Sequence, residues 1–371
     1  ELQKKLQEES IEGDIYRKMH DLITRNNDII KSARPAVSKN SSGYYLWNVM
    51  NEQEETFDLT KILVGSQGTL GIITDVTFQL IRPKPHSSLV VMFLKDTKRL
   101  GEVINHVMRQ KPESFESYDD HTFKIAVKFF PEFAGKLKSN IIGLAWSFLP
   151  ELWMVITGGV PKLVLLAEFT GESPQEALRK AQKAESDIRH TFTIKTKLAR
   201  TNREAEKYWV MRRESFNLLR KRVRGLRTAP FIDDLVVNPK QLSEFLPRLD
   251  AILNEYKNLI YTVAGHMGDG NFHIIPLMNP HDPTLKKTIQ EVADKVYELV
   301  LAYGGSISGE HNDGLIRGPY VPVMFGASVY QLFKEAKRIF DPDNIFNPGK
   351  KVGVTWEYAL QFLDTQNHPN K

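Results

Sequence analysis

Apolar positions recur at helical spacing through much of the chain, separated by short apolar runs and by turn-forming clusters. Residues 1–33 read as a charged, amphipathic helical stretch, and helices are predicted over 97–110, 173–191, 203–224, 240–257, 283–303 and 329–340. Ser173-Pro174 opens one of them in the way a capped helix with proline in its first turn begins. Gly304-Gly305 stops another, and Asp341-Pro342 ends the last. Short apolar runs over 61–64, 72–80, 88–94, 163–169 and 272–276, with the end of one at 236–239, predict strands. Ser41-Ser42-Gly43-Tyr44 and Asn347-Pro348-Gly349-Lys350 are turns, and Pro83-Lys84-Pro85 marks a boundary. The strand–helix repetition beyond it predicts an α+β domain. The apolar run 141–156 contains Pro150 and Glu151 and leads into Gly158-Gly159, so it reads as a buried or interface-lining segment rather than a membrane span.

Two short segments concentrate the chemistry. Gly265-His266-Met267-Gly268-Asp269-Gly270-Asn271-Phe272-His273 and Ser308-Gly309-Glu310-His311-Asn312-Asp313-Gly314 together hold three histidines, a glutamate, two aspartates and five glycines. A Gly-Asp-Gly turn folds the chain sharply and tolerates positive φ, which can bring His266 and His273 together. With Glu310 they form a two-His, one-carboxylate set that suits a catalytic zinc or related divalent ion with a position left for substrate. His311 stands beside Glu310 as a candidate base. A lone histidine is usually structural. A turn needs no imidazole on both sides, however, and a second Glu-His pair strengthens the metal reading.

A third segment, Gly65-Ser66-Gln67-Gly68-Thr69-Leu70-Gly71, has glycine at every third position and lets backbone N–H groups approach an anion. On spacing alone a ligand-free hairpin is as good a reading. It opens no helix, so it is not a dinucleotide fingerprint, and no phosphate loop ending in Gly-Lys-Ser/Thr occurs. Residues 203–224 are strongly basic, with Arg212, Arg213, Arg220, Lys221, Arg222 and Arg224, and Arg227 follows. Such a run is most often a solvated face. It lacks the interleaved aromatics of a nucleic-acid platform, and one inward arginine could instead clamp a carboxylate.

The 371 residues are enough for two domains, and 41% hydrophobic with 26% charged residues is ordinary for a globular protein. The absence of cysteine removes disulfides, thiolate catalysis and cysteine-bound clusters from this chain. A net charge of +5 suits anionic small molecules or membrane surfaces and is too weak to imply nucleic acid. The opening Glu1-Leu2-Gln3-Lys4-Lys5 has no apolar signal core, so the sequon at Asn40-Ser41-Ser42 is discounted.

In combination, four motifs resemble the flavin-linked 2-hydroxyacid dehydrogenases of the vanillyl-alcohol-oxidase-like group. They are Gly65 through Thr74, Gly265 through His273, Ile307 through Gly314, and Phe340-Asp341-Pro342 through Asn347-Pro348-Gly349-Lys350. The resemblance implies an α+β fold in which a partial FAD-binding domain (1–85) is interrupted by a cap, or substrate, domain (86–305), with 306–371 returning to the flavin. It implies FAD held by Gly65, Ser66, Gly68, Thr69, Gly71, Ile72 and Asn347, and a zinc or manganese ion held by His266, His273 and Glu310. His311 would be the base, and Arg212 would bind the substrate carboxylate. The implied reaction is oxidation of a D-2-hydroxy acid, such as D-lactate or glycolate, to the 2-oxo acid. A quinone, an electron-transfer flavoprotein or an iron–sulfur protein would accept the electrons. The expected setting is cytoplasmic, with room for peripheral membrane association and no nucleic-acid partner. Two departures stand out: Gln67 replaces the usual glutamate, and Asn312 replaces the usual glycine after the histidine. No glycine-rich pyrophosphate loop precedes Gly65, so the chain reads as lacking the N-terminal FAD-binding half. The alternative is a non-catalytic or partner-completed subunit of an electron-transfer complex.

Overall fold

A computed structural model describes residues 1–128, 159–222, 225–256 and 259–363, apart from Glu52 and Glu54, with the backbone alone at Arg203, 125–128 and 214–222. The apolar run 141–156 lies outside the described residues. Two compact units emerge: Leu80–Leu299, and Glu1–Gln79 together with Val300–Asp364. Among the described residues, no helix is long and apolar enough to cross a membrane.

The first of these units is built on one antiparallel sheet. Its strands are β1 (His86–Leu94), β2 (Ser114–Asp119), β3 (Leu163–Gly171), β4 (Lys195–Ala199), β5 (Arg227–Thr228), β6 (Leu235–Val236), β7 (Ile260–His266) and β8 (Asn271–Met278). They lie in the order β4-β1-β3-β2-β7-β8-β5, and β6 also pairs with β8. Helices α1 (Leu100–Arg109), α2 (Asp120–Lys128), α3 (Pro174–Thr191), α4 (Asn202–Arg222), α5 (Leu242–Asn254) and α6 (Leu285–Ala302) accompany it.

β1 is buried on both faces from Ser88 to Leu94, which is why it reads as an unbroken apolar run. One face of the sheet gives Leu89, Val91, Phe93, Tyr118, Val164 and Leu166 to a core closed by Tyr208 and Met211 of α4. Against β1 and β3 also lies α3, whose buried Ala177, Ala181 and Ala184 present little side chain and let it approach closely. Its start is as the sequence predicts: Ser173 Oγ accepts a hydrogen bond from the Glu176 amide at 3.2 Å, with Pro174 in the first turn.

The second unit begins with three helices, Leu2–Gln7, Ile11–Arg25 and Asn27–Ser32, where the sequence suggested one helical stretch. The second has its own cap, since Ser10 Oγ accepts from the Gly13 amide at 3.0 Å. Residues 61–64 are not a strand. Asp58 Oδ1 accepts from the Thr60 amide at 2.9 Å and starts a helical turn, Thr60–Leu63, that buries Ile62. A four-residue apolar run cannot distinguish the two periods. Residues 72–80 belong to no strand of the structure either. Their alternating pattern is that of a half-buried strand, yet no described strand pairs with them, and Ile72, Val76 and Phe78 stand 81%, 58% and 76% exposed. Without a ladder partner, alternation alone makes no strand.

The return half of this unit contains the helix Val321–Phe340, interrupted where Gly326 takes φ +75°. Aromatic packing joins its parts, with Tyr44 edge-on to Phe333 at 6.0 Å and Trp47 stacked on Phe325 at 5.8 Å between ring centres.

Two buried lysines pin the loops. Lys351, fully buried, donates to Ser41 O, Asn312 Oδ1 and Asp313 Oδ2 at 3.2, 2.9 and 3.0 Å. Asp313, equally buried, also accepts from Ser42 Oγ at 2.6 Å and the Gly43 amide at 2.9 Å. Lys337 donates to Thr69 O at 2.6 Å, to Phe346 O at 2.8 Å and to Asp341 Oδ2.

Removing one member of a buried ion pair strands the other charge. Lys351→Ala is expected to cost about 3–5 kcal/mol in this unit. The double variant Lys351→Met/Asp313→Asn should lose less, because no unpaired charge stays buried. Urea unfolding of the single and double variants measures the difference.

Candidate functional site

The two histidines of the Gly-Asp-Gly segment sit on one hairpin. β7 ends at His266 and β8 begins at Asn271, with a turn of 3₁₀ helix, Met267–Asp269, between them. Gly270 closes the turn at φ +66°, and a Cβ there would lie 1.9 Å from Val237 O. Glycine is required at this position on both counts. In the ladder His266 faces Asn271 and His273 faces Ala264. The imidazoles meet edge to face, with ring centres 5.2 Å apart.

Each imidazole is backed by a carboxylate. His266 Nδ1 lies 2.6 Å from Glu116 Oε1, and His273 Nδ1 lies 3.1 Å from Asp233 Oδ1. An ionised carboxylate can only accept, so in each contact Nδ1 is the donor, which in the neutral ring leaves the lone pair on Nε2. Both carboxylates are nearly inaccessible, on strand β2 and just before β6. Burial pushes the Glu116 carboxyl up, but the His266 hydrogen bond and the Arg212 cation outweigh it and hold it below the usual carboxylate range.

Arg212 reaches the same place from α4. Its Nε donates to Glu116 Oε2 at 2.8 Å. Arg213 pairs instead with Glu206 at the surface, at 2.8 Å. At these two positions the basic run therefore divides into one inward arginine and one solvated arginine.

Glu310, His311 and the glycine-spaced segment all belong to the other unit. Glu310 Oε2 is 3.3 Å from Lys39 Nζ, and Glu310 Oε1 is 3.7 Å from His311 Nε2, on an exposed part of the chain. The next residue, Asn312, takes φ +66°, the left-handed region that its short amide tolerates, while its Oδ1 accepts from Lys351. Gln67 is also in the left-handed region, at φ +57°. Its Oε1 accepts from the Gly314 amide at 3.0 Å, and its main-chain O accepts from Asn347 Nδ2 at 2.7 Å. The segment 65–71 and the return residues 341–347 are thus joined within one unit, here through Asn347 and through Lys337.

The segment is no hairpin. It follows the turn Thr60–Leu63 and runs into residues 72–80, which belong to no helix or strand. Of the residues named for the flavin, Ser66 and Thr69 are buried. Nothing lies within 4 Å of where a Cβ of Gly68 or Gly71 would be, and Ile72 is exposed. Among the described residues, the amides of Gln67, Gly68, Leu70 and Gly71 donate to no acceptor. They suit an anionic group brought to this loop.

Glu116 and Asp233 were not legible as site residues. Ser114–Asp119 lacks an alternating apolar pattern, so nothing marked Glu116 as a strand residue facing an imidazole. Asp233 did carry a signal, two aspartates inside the apolar run Phe231-Ile232-Asp233-Asp234-Leu235-Val236. Carboxylates in such a run must find partners.

Residues 83–351 match the family model described as FAD linked oxidases, C-terminal domain. The chain belongs to this family. Relatives of this FAD-linked oxidase chain include the D-2-hydroxyglutarate dehydrogenase of Pseudomonas putida, 28% identical over 91% of the chain and 32% of the relative. The glycolate oxidase subunit GlcD of Bacillus subtilis is 26% identical over 89% of the chain and 62% of the relative. The D-lactate dehydrogenase of Anaerostipes hadrus is 27% identical, over 90% and 64%. The chain spans less than two thirds of the length of each of these relatives. Among solved structures, p-cresol methylhydroxylase matches with a TM-score of 0.52 at 13% identity, over 76% of this chain and 55% of that one. The 4-ethylphenol oxidase from Gulosibacter chungangensis also gives 0.52, at 12% identity, over 74% and 55%. The fold is that of the vanillyl-alcohol-oxidase group, mixed α and β as the sequence implied.

The hairpin depends on Gly270. Gly270→Ala is expected to destabilise the Leu80–Leu299 unit by more than the ~1 kcal/mol of a compatible glycine–alanine exchange. Hydrogen exchange should show protection lost across β7 and β8.

Proposed function

We propose that this FAD-linked oxidase chain binds and orients the substrate of an FAD-dependent D-2-hydroxyacid dehydrogenase, which converts a D-lactate- or glycolate-like acid to the 2-oxo acid. The observation that carries the reading is a pair of carboxylate-backed histidines on one hairpin, joined through Glu116 to an inward arginine. A 2-hydroxy acid offers a carboxylate and an adjacent hydroxyl. In this reading Arg212 takes the carboxylate with its terminal nitrogens, its Nε being held by Glu116.

The imidazole pair suits a divalent ion such as zinc or manganese. Both rings are oriented by a carboxylate on Nδ1, the arrangement in which Nε2 ligates. Such an ion would lower the pKa of a substrate hydroxyl. The ligand role of Glu310 and the base role of His311 rest on the sequence pattern and on the family resemblance. The amides of 67, 68, 70 and 71, with Gly65, Ser66, Thr69, Ile72 and Asn347, would hold part of the FAD. When bound, FAD supplies the acceptor for the two electrons. A quinone, an electron-transfer flavoprotein or an iron–sulfur protein would receive them afterwards.

The metal is tested on the 371-residue chain by titration with zinc or manganese and by elemental analysis. About one ion per chain is expected, and His266→Ala and His273→Ala should each abolish it. Full occupancy in both variants rules the site out.

Activity is tested with FAD, a dye acceptor, and D-lactate, glycolate or D-2-hydroxyglutarate. The chain is assayed alone and with a flavin-binding segment supplied in cis or in trans. The chain alone should retain FAD weakly, because one loop of amides is a partial cradle for a pyrophosphate. In the completed enzyme, Arg212→Lys should be nearly as damaging as Arg212→Ala. The expected loss is about 1.5–3 kcal/mol in kcat/KM, the range for a charged hydrogen bond. Unchanged kinetics in the lysine variant would remove Arg212 from substrate binding.

A further inference from the structure

We infer that Glu116 is a positioning residue that sets His266 and Arg212 with one carboxylate. It holds the proton of His266 on Nδ1, so that Nε2 carries the lone pair, and it fixes the guanidinium of Arg212 by its Nε. What the two side chains then bind rests on the reading above. The positioning itself is a property of the Leu80–Leu299 unit and can be measured without flavin or substrate.

The sheet register makes this arrangement. Glu116 lies directly opposite His266 across the β2–β7 pair, and Tyr118 lies opposite Ala264. Residues two apart on a strand share a face, so Glu116 and Tyr118 point the same way. Helix α4 covers that face: Tyr208 and Met211 pack in the cluster with Tyr118 and Ala264, and the Tyr118 hydroxyl meets Met211 Sδ at 4.0 Å. Arg212, the residue after Met211, is thereby delivered to Glu116.

The carboxylate divides its oxygens. Oε1 takes His266 Nδ1 at 2.6 Å, and Oε2 takes Arg212 Nε at 2.8 Å. Glu116 is only 9% exposed, so water cannot readily replace either partner. A buried carboxylate that loses one partner is left under-compensated, which ties the two side chains to each other through it. Asp233 backs His273 in the same way, at 3.1 Å.

Without the Glu116 carboxylate on Nδ1 the imidazole tautomer would be left to chance, so the tautomer reports whether Glu116 sets it. The test uses the full 371-residue chain labelled with ¹⁵N at histidine and arginine. The His266 and Arg212 signals are assigned by their loss in His266→Ala and Arg212→Ala. In the wild type, His266 is expected as the Nδ1–H tautomer, and Arg212 Nε–H as a resolved, slowly exchanging signal.

Glu116→Gln keeps the size but offers one acceptor end and one donor end. It cannot accept from both partners. Either His266 changes to the Nε2–H tautomer or the Arg212 Nε–H signal is lost, and Glu116→Ala should lose both features. Zinc alone, titrated into the same samples, should bind about 10–100-fold more weakly to Glu116→Ala, the usual effect of removing the residue that orients a ligand.

A wild-type His266 with its proton on Nε2 overturns the proposal. So does a Glu116→Gln or Glu116→Ala chain that keeps both signals. If the wild type binds no zinc, the metal reading fails, while the tautomer and arginine signals still decide what Glu116 does.

Discussion

The unit formed by 1–79 and 300–364 depends on the burial of the Lys351 ammonium. An ammonium removed from water needs acceptors in fixed places, and here they come from residues 41, 312 and 313. Those acceptors sit on loops with little regular structure of their own. The lysine and Asp313 therefore hold the turn at 41–44 and the Glu310–Gly314 segment in one arrangement. Lys337 does the same for the glycine-spaced segment and the chain after Phe340. Loops that would otherwise cost conformational entropy to order are held by charges that cannot be left unpaired.

The Leu80–Leu299 unit solves a related problem by a different route. Its ionisable groups stand on strands, where register decides who faces whom. Glu116 meets His266 because β2 and β7 pair in one register, and a slip of one residue would turn it to the other face. Asp233 reaches His273 from just before β6, which pairs with the start of β8. The result is two imidazoles each held at Nδ1 by a carboxylate and an arginine held by its Nε, before any ligand arrives. Preorganisation of this kind suits orienting a small charged substrate.

Much of this was legible in the residues. The run 88–94 reads as a buried strand because both of its faces are apolar, and Ser173-Pro174 announces a helix because the cap and the proline act locally. His266 and His273 were legible as a pair, since Gly270 can take the positive φ that a sharp turn needs. Less was legible where the deciding partner is distant. The residues at 61–64 look like a strand, yet Thr60–Leu63 is a helical turn whose first amide bonds to Asp58. Those at 72–80 have the alternation of a strand but no described partner strand. Within the basic run, nothing in the order of charges told Arg212 from Arg213.

What the sequence by itself determined was local and chemical: which stretches are helical, where sharp turns fall, and that imidazoles, carboxylates and glycines gather in two short segments. These follow from propensity, capping and periodicity, which act within a few residues. What only the tertiary structure decided was pairing over long separations. Glu116 and His266 are 150 positions apart, and Glu116 and Arg212 are 96 apart. No local rule links them. Their meeting follows from strand order, register and the helix packed across that face, which are settled when the sheet closes over its core.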